Sequence, residues 1–270
     1  MGEQPITTMV TDLLLELSED DKSKLKHQDS RLVSPFQAMK LELYAQKFWD
    51  QFYKRNTTKF FKDRHWTLRE FHELVDNEQV NRKTKILEVG CGVGNLIFPL
   101  MEEENNFEIF ACDFSPRAVE FVKNHELYNP QRLKIFQADV TKDDLLEHTS
   151  IQMDLITVVF VLSAIHPDKF RSTVKNLYNV LKPGGLVLIR DYGMYDMTQI
   201  RFKAGHKISE NFYMRQDGTR SYFFTCEKLR ELFVSEGFEE VLCCYIKSRT
   251  INKKEGVDVP RTFVQAKFRK

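Results

Sequence analysis

The run Ile86-Leu87-Glu88-Val89-Gly90-Cys91-Gly92-Val93-Gly94-Asn95 constrains this chain more than any other stretch. An apolar segment that runs into alternating glycines describes a buried strand turning sharply into a helix. At such a turn a residue without Cβ lets the backbone approach a ligand closely. Asp113 stands 19 residues beyond Gly94, at the end of the apolar run 107–111. An acid at the end of the second strand of a β-α-β unit can accept hydrogen bonds from ribose hydroxyls, so a nucleoside-bearing ligand is implied. The dinucleotide fingerprint spaces its glycines Gly-x-Gly-x-x-Gly, whereas here the third glycine comes one residue early. Asp113 alone suits a nicotinamide oxidoreductase equally well, and the glycine spacing is what separates the two readings.

Beyond this turn the hydrophobic pattern is that of alternating strands and helices. Strands are expected over 85–89, 108–111, 133–137, 154–162 and 185–190, with helices over 95–103, 116–124 and 169–181. The 154–162 segment is almost wholly apolar and β-branched, as a central parallel strand covered on both faces must be. Serial β-α units need right-handed crossovers, which give an open doubly wound sheet with its ligand outside the carboxyl ends of the strands. A helix over 227–236 then leads into the runs 239–247 and 261–268, which fit a closing antiparallel hairpin. Residues 200–224 show neither period and contain Gln216-Asp217-Gly218-Thr219, a hairpin turn, so a ribbon is expected to lie over the site. Ahead of the sheet come an acidic helix over 11–27, a break at Val33-Ser34-Pro35, a helix over 36–51, a basic-aromatic loop over 54–66 and a short helix over 68–75. The expected organisation is a helical segment 1–34, a helical and basic-aromatic substrate-binding segment 35–84, and an α/β domain 85–270 carrying an insertion at about 196–224.

A chain of 270 residues with 42% apolar content can fill one large α/β domain with an appended segment. Its net charge of +1 conceals two basic stretches. Lys47, Lys54, Arg55, Lys59, Lys62, Arg64 and Arg69 face only Asp50 and Asp63, and residues 247–270 are similarly biased. Such patches suit a polyanion. The five cysteines form no Cys-x-x-Cys pair and have no histidine spacing for zinc, so reduced thiols and no metal are expected. The acidic amino end argues against a mitochondrial presequence, and no apolar run approaches the roughly 20 residues of a membrane span. A cytoplasmic or nuclear location is the expectation.

The glycine spacing, the Lys182-Pro183-Gly184-Gly185 turn before the fifth strand and the terminal hairpin together resemble the class I S-adenosylmethionine-dependent methyltransferases. The resemblance implies a Rossmann-like doubly wound sheet, mostly parallel with a terminal antiparallel hairpin, to which the residue pattern adds an N-terminal helical extension. It also implies S-adenosyl-L-methionine as cofactor. Gly90 and Gly92 would then approach it, Asp113 would hold the ribose, and Asp139 with Val140 would meet the adenine. Phe114 and Val159 would wall the pocket, and Trp49 and Tyr53 would cover it. Plainer readings stay open: Asp139 can cap the turn at Thr141, Phe114 and Val159 can be ordinary core, and Trp49 and Tyr53 can be the buried stripe of an amphipathic helix.

The segment after the fourth strand narrows the choice of methyl acceptor. Phe160-Val161-Leu162-Ser163-Ala164-Ile165-His166-Pro167-Asp168-Lys169 contains no Asp-Pro-Pro-Tyr or Asn-Pro-Pro-Tyr, no Pro-Cys and no paired glutamates. The segments Lys47-Phe48-Trp49-Asp50-Gln51-Phe52-Tyr53-Lys54-Arg55-Asn56, Phe60-Phe61-Lys62-Asp63-Arg64-His65-Trp66, Ala111-Cys112-Asp113-Phe114-Ser115-Pro116-Arg117-Ala118, Arg190-Asp191-Tyr192-Gly193 and Arg215-Gln216-Asp217-Gly218-Thr219-Arg220-Ser221-Tyr222-Phe223-Phe224 resemble the tRNA 3-methylcytidine methyltransferases. This likeness runs from about Leu32 to the last residue. It implies methylation of N3 of cytidine 32 in the anticodon loop, chiefly of serine tRNAs, with seryl-tRNA synthetase as partner.

Cytosine N3 carries an in-plane lone pair, so no strong base is needed, and the product is a cation. A carboxylate that accepts from N4–H would favour the developing charge, and Asp191 is the catalytic candidate, with an ion pair to Arg190 or Arg64 as its structural alternative. N3 is inaccessible inside a helix, so the base must be turned out. Phe60, Phe61, Trp66, Tyr192 and Tyr222 are candidates to stack on bases, and Arg64, Arg215 and Arg220, with His65 adjoining, to hold phosphates. The aromatics can equally be core and the arginines a solvated face. Three rivals to the tRNA cytidine reading remain: a catalytically idle tRNA-binding adaptor, a methyltransferase acting on another RNA, a protein or a small molecule, and a nicotinamide oxidoreductase.

Overall fold

The computed structural model describes residues 8–10, 17–58, 64–74, 83–102, 107–252 and 257–270. Strand β1 (Thr8–Val10) is followed by α1 (Glu19–Gln28) and α2 (Pro35–Leu43). Ser18 and Ser34 start these helices by accepting from the amides of Asp21 and Gln37. Of the acidic helix expected over 11–27, the part from Glu19 onward is present, and residues 11–16 lie outside the described residues.

The single helix expected over 36–51 is instead two, because the chain turns at Tyr44 (φ −108°, ψ 19°) before α3 (Ala45–Asn56). No glycine or proline marks that break. Its cause is tertiary: the Asp50 carboxylate accepts from the Ser115 hydroxyl (3.1 Å) and the Arg117 amide (3.3 Å), which docks α3 onto the core and buries Phe52 and Tyr53. Helix α4 (His65–Glu70) and a 3-10 turn at His72–Leu74 stand where a helix was expected over 68–75, residue 75 lying outside the described residues. A helix of six residues is unstable alone, so packing must hold it. Phe71 and Leu74 are fully buried, each contributing about 1.5–3 kcal/mol. Two ion pairs, Arg190–Glu70 and Lys267–Glu73 (2.7 Å each), fasten the segment to the sheet.

The α/β unit comprises β2 (Thr84–Val89), α5 (Ile97–Glu102), β3 (Phe107–Asp113), α6 (Pro116–Lys123), β4 (Leu133–Gln137), α7 (Leu145–Thr149), β5 (Met153–Val159), α8 (Phe170–Val180) and β6 (Leu181–Tyr192). Next come α9 (Met197–Ile200), β7 (Lys207–Ser209), β8 (Phe212–Met214), β9 (Arg220–Tyr222), α10 (Cys226–Val234), β10 (Glu239–Asn252) and β11 (Val257–Arg269). The main sheet has the order β1-β10-β11-β6-β5-β2-β3-β4. Pairs from β4 to β6 are parallel, while β6–β11, β10–β11 and β1–β10 are antiparallel. This is the class I methyltransferase arrangement, with the expected terminal hairpin and an unanticipated edge strand, β1. The chain leaves β2 toward β3 and β4 and then returns to the other side of β2 for β5. The order therefore reverses at β2 and opens a crevice at its carboxyl end.

The insertion forms a separate three-stranded antiparallel sheet, β7-β8-β9, rather than one ribbon. The Gln216–Thr219 stretch makes the expected turn between β8 and β9, with Asp217 accepting from the Thr219 amide (2.9 Å). The amino-terminal helices pack on this insertion. Buried Gln28 donates to the carbonyls of Gln199 (2.9 Å) and Phe202 (3.0 Å), and the Val33 amide donates to Lys207 (2.8 Å).

Candidate cofactor and acceptor site

At the carboxyl end of β2 the backbone passes through Gly90 and Gly94 with φ of 64° and 92°. A Cβ on Gly90 would lie 2.5 Å from Val161 Cγ2, and one on Gly94 would lie 2.3 Å from the Phe98 ring. Glycine is thus required both for conformation and for close approach. The Asp113 carboxylate ties this turn to the next one, accepting from the Gly92 amide (2.9 Å) on one oxygen and the Ser115 amide (2.9 Å) on the other. Burial pushes its pKa up to about 6, against the lowering effect of the Ser115, Gly92 and Phe114 amides.

A cavity of about 660 Å³ opens beside these groups, within the roughly 300–1,000 Å³ range of small-molecule sites. Gly90, Asp113, Phe114, Asp139 and Val140 line it from the sheet side, and Trp49 and Tyr53 line it from α3. The Asp139 carboxylate also holds its own turn, accepting from the Thr141 amide (3.0 Å) and hydroxyl (2.7 Å), so the capping geometry coexists with a place on the wall. A smaller cavity adjoins the first and is lined by Gly92, Val159, Arg64, Tyr192, Arg215 and Arg220. Trp49, Tyr53, Gly90, Phe160, Ala164 and Arg220 line both.

Several expected site residues are placed elsewhere. Asp191 is fully buried and lines neither cavity; it accepts from the Ser163 amide (2.9 Å) and from the Tyr192 amide (2.8 Å). Burial pushes its pKa up to about 6, while Ser163, the Tyr192 amide and the Arg215 charge act in the opposite direction. Its anticipated partner Arg190 pairs with Glu70 and Gln265 instead. Trp66 packs on the core and against the Arg190 guanidinium (4.8 Å), because apolar contact outweighs solvent exposure for so large a ring. Tyr222 is likewise a core residue, set edge-on to Phe170 (5.2 Å) and tilted on Phe224 (4.7 Å). His65 opens α4 but its side chain lies outside the described residues, as do Phe60 and Phe61.

The structure adds wall residues that the sequence did not reveal. Glu42 from α2 bridges Lys169 and Arg220 at the cavity, and despite burial those two cations draw its pKa below the ordinary value. Gln46 donates to the Phe114 carbonyl (2.6 Å), fastening α3 over the larger cavity. Phe160 ends the fourth parallel strand in a left-handed conformation (φ 59°), which is why β5 stops at Val159 rather than continuing to Leu162. An apolar residue after an apolar strand carries no local mark of such a role, and Glu42 acquires its partners only from distant segments.

Behind the glycine turn lies Glu88, 1% exposed, with one oxygen lacking a hydrogen-bond partner among the described residues. Burial pushes its pKa up to about 8, opposed by the Arg64 charge and reinforced by Asp113. In the fold Glu88 keeps a proton that the unfolded chain has lost, so its contribution is full below about pH 4.5 and falls as pH rises toward 8. Denaturant unfolding at pH 5 and pH 8 is expected to show a loss of stability at the higher pH that Glu88→Gln reduces; an identical pH dependence in the variant would contradict this. No group of three His, Cys, Asp or Glu side chains suited to a metal is found among the described residues, and no described helix is long and apolar enough to cross a membrane.

Comparison with known proteins agrees with this geometry. Residues 87–187 match the model of a methyltransferase domain family. The chain is 59% identical over 256 residues to the mouse tRNA N(3)-cytidine methyltransferase METTL6, covering 94% of this chain and 90% of the relative. It is 56% identical to the human protein of that name, with the same coverage, and 44% identical over 245 residues to the tRNA N(3)-methylcytidine methyltransferase trm141 of Schizosaccharomyces pombe, covering 88% and 97%. Among solved structures, a SAM-dependent methyltransferase from Anabaena variabilis aligns with a TM-score of 0.61 at 15% identity, covering 83% of this chain and 94% of that one. The glycopeptide N-methyltransferase MtfA in complex with S-adenosyl-L-methionine aligns with a TM-score of 0.53 at 14% identity, covering 79% and 89%. These two show the shared fold. The sheet order, the glycine turn with Asp113 and the extent of the likeness establish that the chain belongs to the family of S-adenosylmethionine-dependent tRNA N3-cytidine methyltransferases.

Proposed function

We propose that this chain methylates N3 of cytidine 32 in the anticodon loop of serine tRNAs and works with seryl-tRNA synthetase. The observation that carries the reading is the junction of two kinds of wall in one crevice. Gly90, Asp113 and Asp139 line one end, and Arg64, Arg215 and Arg220 with Tyr192 line the other. The first set suits an adenosyl group, with Asp113 toward the ribose and Asp139 with Val140 toward the adenine; the second suits a phosphate-bearing nucleotide. Bound S-adenosyl-L-methionine supplies a methyl group on a sulfonium. With it bound, the N3 lone pair would gain an N–C bond at the expense of the C–S bond, whose pair would stay on sulfur, so no residue of the chain would need to take up a proton.

The protein's contribution is alignment and exclusion of water. Trp49 and Tyr53 roof the crevice, while Arg64, half-buried and donating to the Val159 carbonyl (3.1 Å), brings positive charge to its wall. Asp191, behind that wall, is a positioning residue that fixes Ser163 rather than a group that meets the base. Serine tRNA transcripts incubated with the chain, with and without seryl-tRNA synthetase, are expected to gain 3-methylcytidine at position 32, faster with the synthetase. Methylation at another nucleotide, or equal transfer to unrelated tRNAs, would refute the assignment.

A further inference from the structure

Phe160 combines a strained backbone with a place on both cavity walls. Its φ of 59° lies in the left-handed region, which a bulky residue enters only where its surroundings compel it. Three contacts do so. The Phe160 amide donates to the Arg190 carbonyl (2.8 Å), the Ser163 amide donates to the Asp191 carboxylate (2.9 Å), and Gly90 leaves room for Val161, whose Cγ2 would lie 2.5 Å from a Cβ there. The loop 160–163 is therefore held at both ends, and the ring is backed by Tyr192 (5.0 Å between centroids) and Phe263 (5.6 Å). The Arg64 guanidinium lies 5.5 Å from its centroid. A ring that served only to fill the core would not need a left-handed backbone or a place on two cavities. This one stands where the larger cavity, with Asp113 and Asp139, meets the smaller, with Arg64 and Arg215.

We propose that Phe160 is the platform on which the target cytosine stacks once it is turned out of the RNA, and that its left-handed backbone, pinned by the Arg190 carbonyl and the Asp191–Ser163 contact, sets the tilt of the base. A π ring with the Arg64 guanidinium over it, on a cavity wall shared with Arg215 and Arg220, matches a pyrimidine joined to its phosphate, and stacking tolerates the positive charge that the product carries. The inference rests on the tRNA cytidine reading above and names the residue that orients the base within it. It also gives Asp191 a defined task, since the carboxylate acts on the base through the loop that carries the ring.

The test compares Phe160→Leu, Phe160→Tyr and Phe160→Gly in the full chain, with serine tRNA as substrate and synthetase present. Three quantities are read: affinity for S-adenosylhomocysteine by calorimetry, the kcat and KM of methyl transfer, and the quenching of pyrrolocytidine placed at the target position. Phe160→Leu is expected to lower kcat/KM for tRNA by about 5- to 150-fold, the range set by loss of one base–aromatic stack, with S-adenosylhomocysteine affinity unchanged and quenching lost. Phe160→Tyr, which keeps the ring, restores both transfer and quenching. Phe160→Gly relaxes the left-handed backbone, so it is expected to fold and to show the same loss of transfer even if the leucine variant does not fold. Normal transfer by the leucine or glycine variant overturns the proposal. So does a loss of S-adenosylhomocysteine affinity that matches the loss of activity, which would make the ring a cofactor wall. A wild-type chain that leaves the tRNA unmethylated would overturn the substrate reading beneath it instead.

Discussion

Asp113→Ala is expected to reduce affinity for S-adenosyl-L-methionine by more than about 100-fold and to silence methyl transfer. Two hydrogen bonds from ribose hydroxyls to a charged acceptor are worth about 1.5–3 kcal/mol each, so their joint loss exceeds the roughly 2.7 kcal/mol that a 100-fold change represents. The variant also strips the buried Gly92 and Ser115 amides of their acceptor, which loosens the glycine turn itself. Calorimetric titration separates the two effects if Asp113→Asn is measured alongside, because the amide keeps one acceptor oxygen and is expected to lose less affinity. The ionised carboxylate is the better acceptor, and burial places its pKa at about 6, so cofactor affinity in the wild-type chain is expected to weaken as pH falls below about 6. Affinity retained in Asp113→Ala would remove the ribose assignment.

The second large effect concerns stability. Glu70→Ala is expected to cost about 3–5 kcal/mol of unfolding free energy, because it leaves the Arg190 guanidinium buried without its carboxylate. Arg190 is only 4% exposed and its Nε already lacks a partner among the described residues, so solvent cannot readily replace Glu70. Replacing both residues by methionine is expected to recover most of the loss, since a buried ion pair is worth little relative to well-packed apolar groups of similar volume. Denaturant unfolding of the single and double variants checks this. A single-variant loss below about 1 kcal/mol would mean that the pair is solvated, as surface pairs are. Because α4 begins just after Arg64, the same variant is also expected to displace that guanidinium from the cavity wall and lower transfer.

Much of the sheet could be read in the sequence because burial on both faces leaves an unbroken apolar record, as in Ile86-Leu87 and in the 153–159 strand. The antiparallel hairpin and the Gln216–Thr219 turn were legible through alternation and turn chemistry. Gly90, Gly92 and Asp113 stood out because a glycine turn followed by an acid at the next strand end is a compact pattern, whereas Asp139 and Val140 were singled out only through the family resemblance; the structure sets all five on the walls of one crevice. What escaped depended on distant partners. The break at Tyr44 follows from the hold of Asp50 on Ser115 and Arg117, and β1 exists through its pairing with β10. Trp66 and Tyr222 sit in basic, aromatic surroundings that read alike whether the ring faces RNA or core, and the structure places both against the core. Asp191 ends its strand as a site acid would, yet its carboxylate turns inward to the Ser163 amide, a contact set by the tertiary fold. Phe160 was hidden by the reverse logic, since an apolar residue after an apolar strand reads as core and its positive φ emerges only in three dimensions.

The most direct test of this mechanism is a solved complex with S-adenosylhomocysteine and a serine tRNA anticodon stem-loop. The mechanism requires the ribose within hydrogen-bond distance of Asp113, the adenine against Asp139 and Val140, and the sulfur facing an unpaired cytosine that lies on the Phe160 ring. A cofactor bound elsewhere, or a cytosine meeting the sulfur from any other face of the crevice, would contradict it.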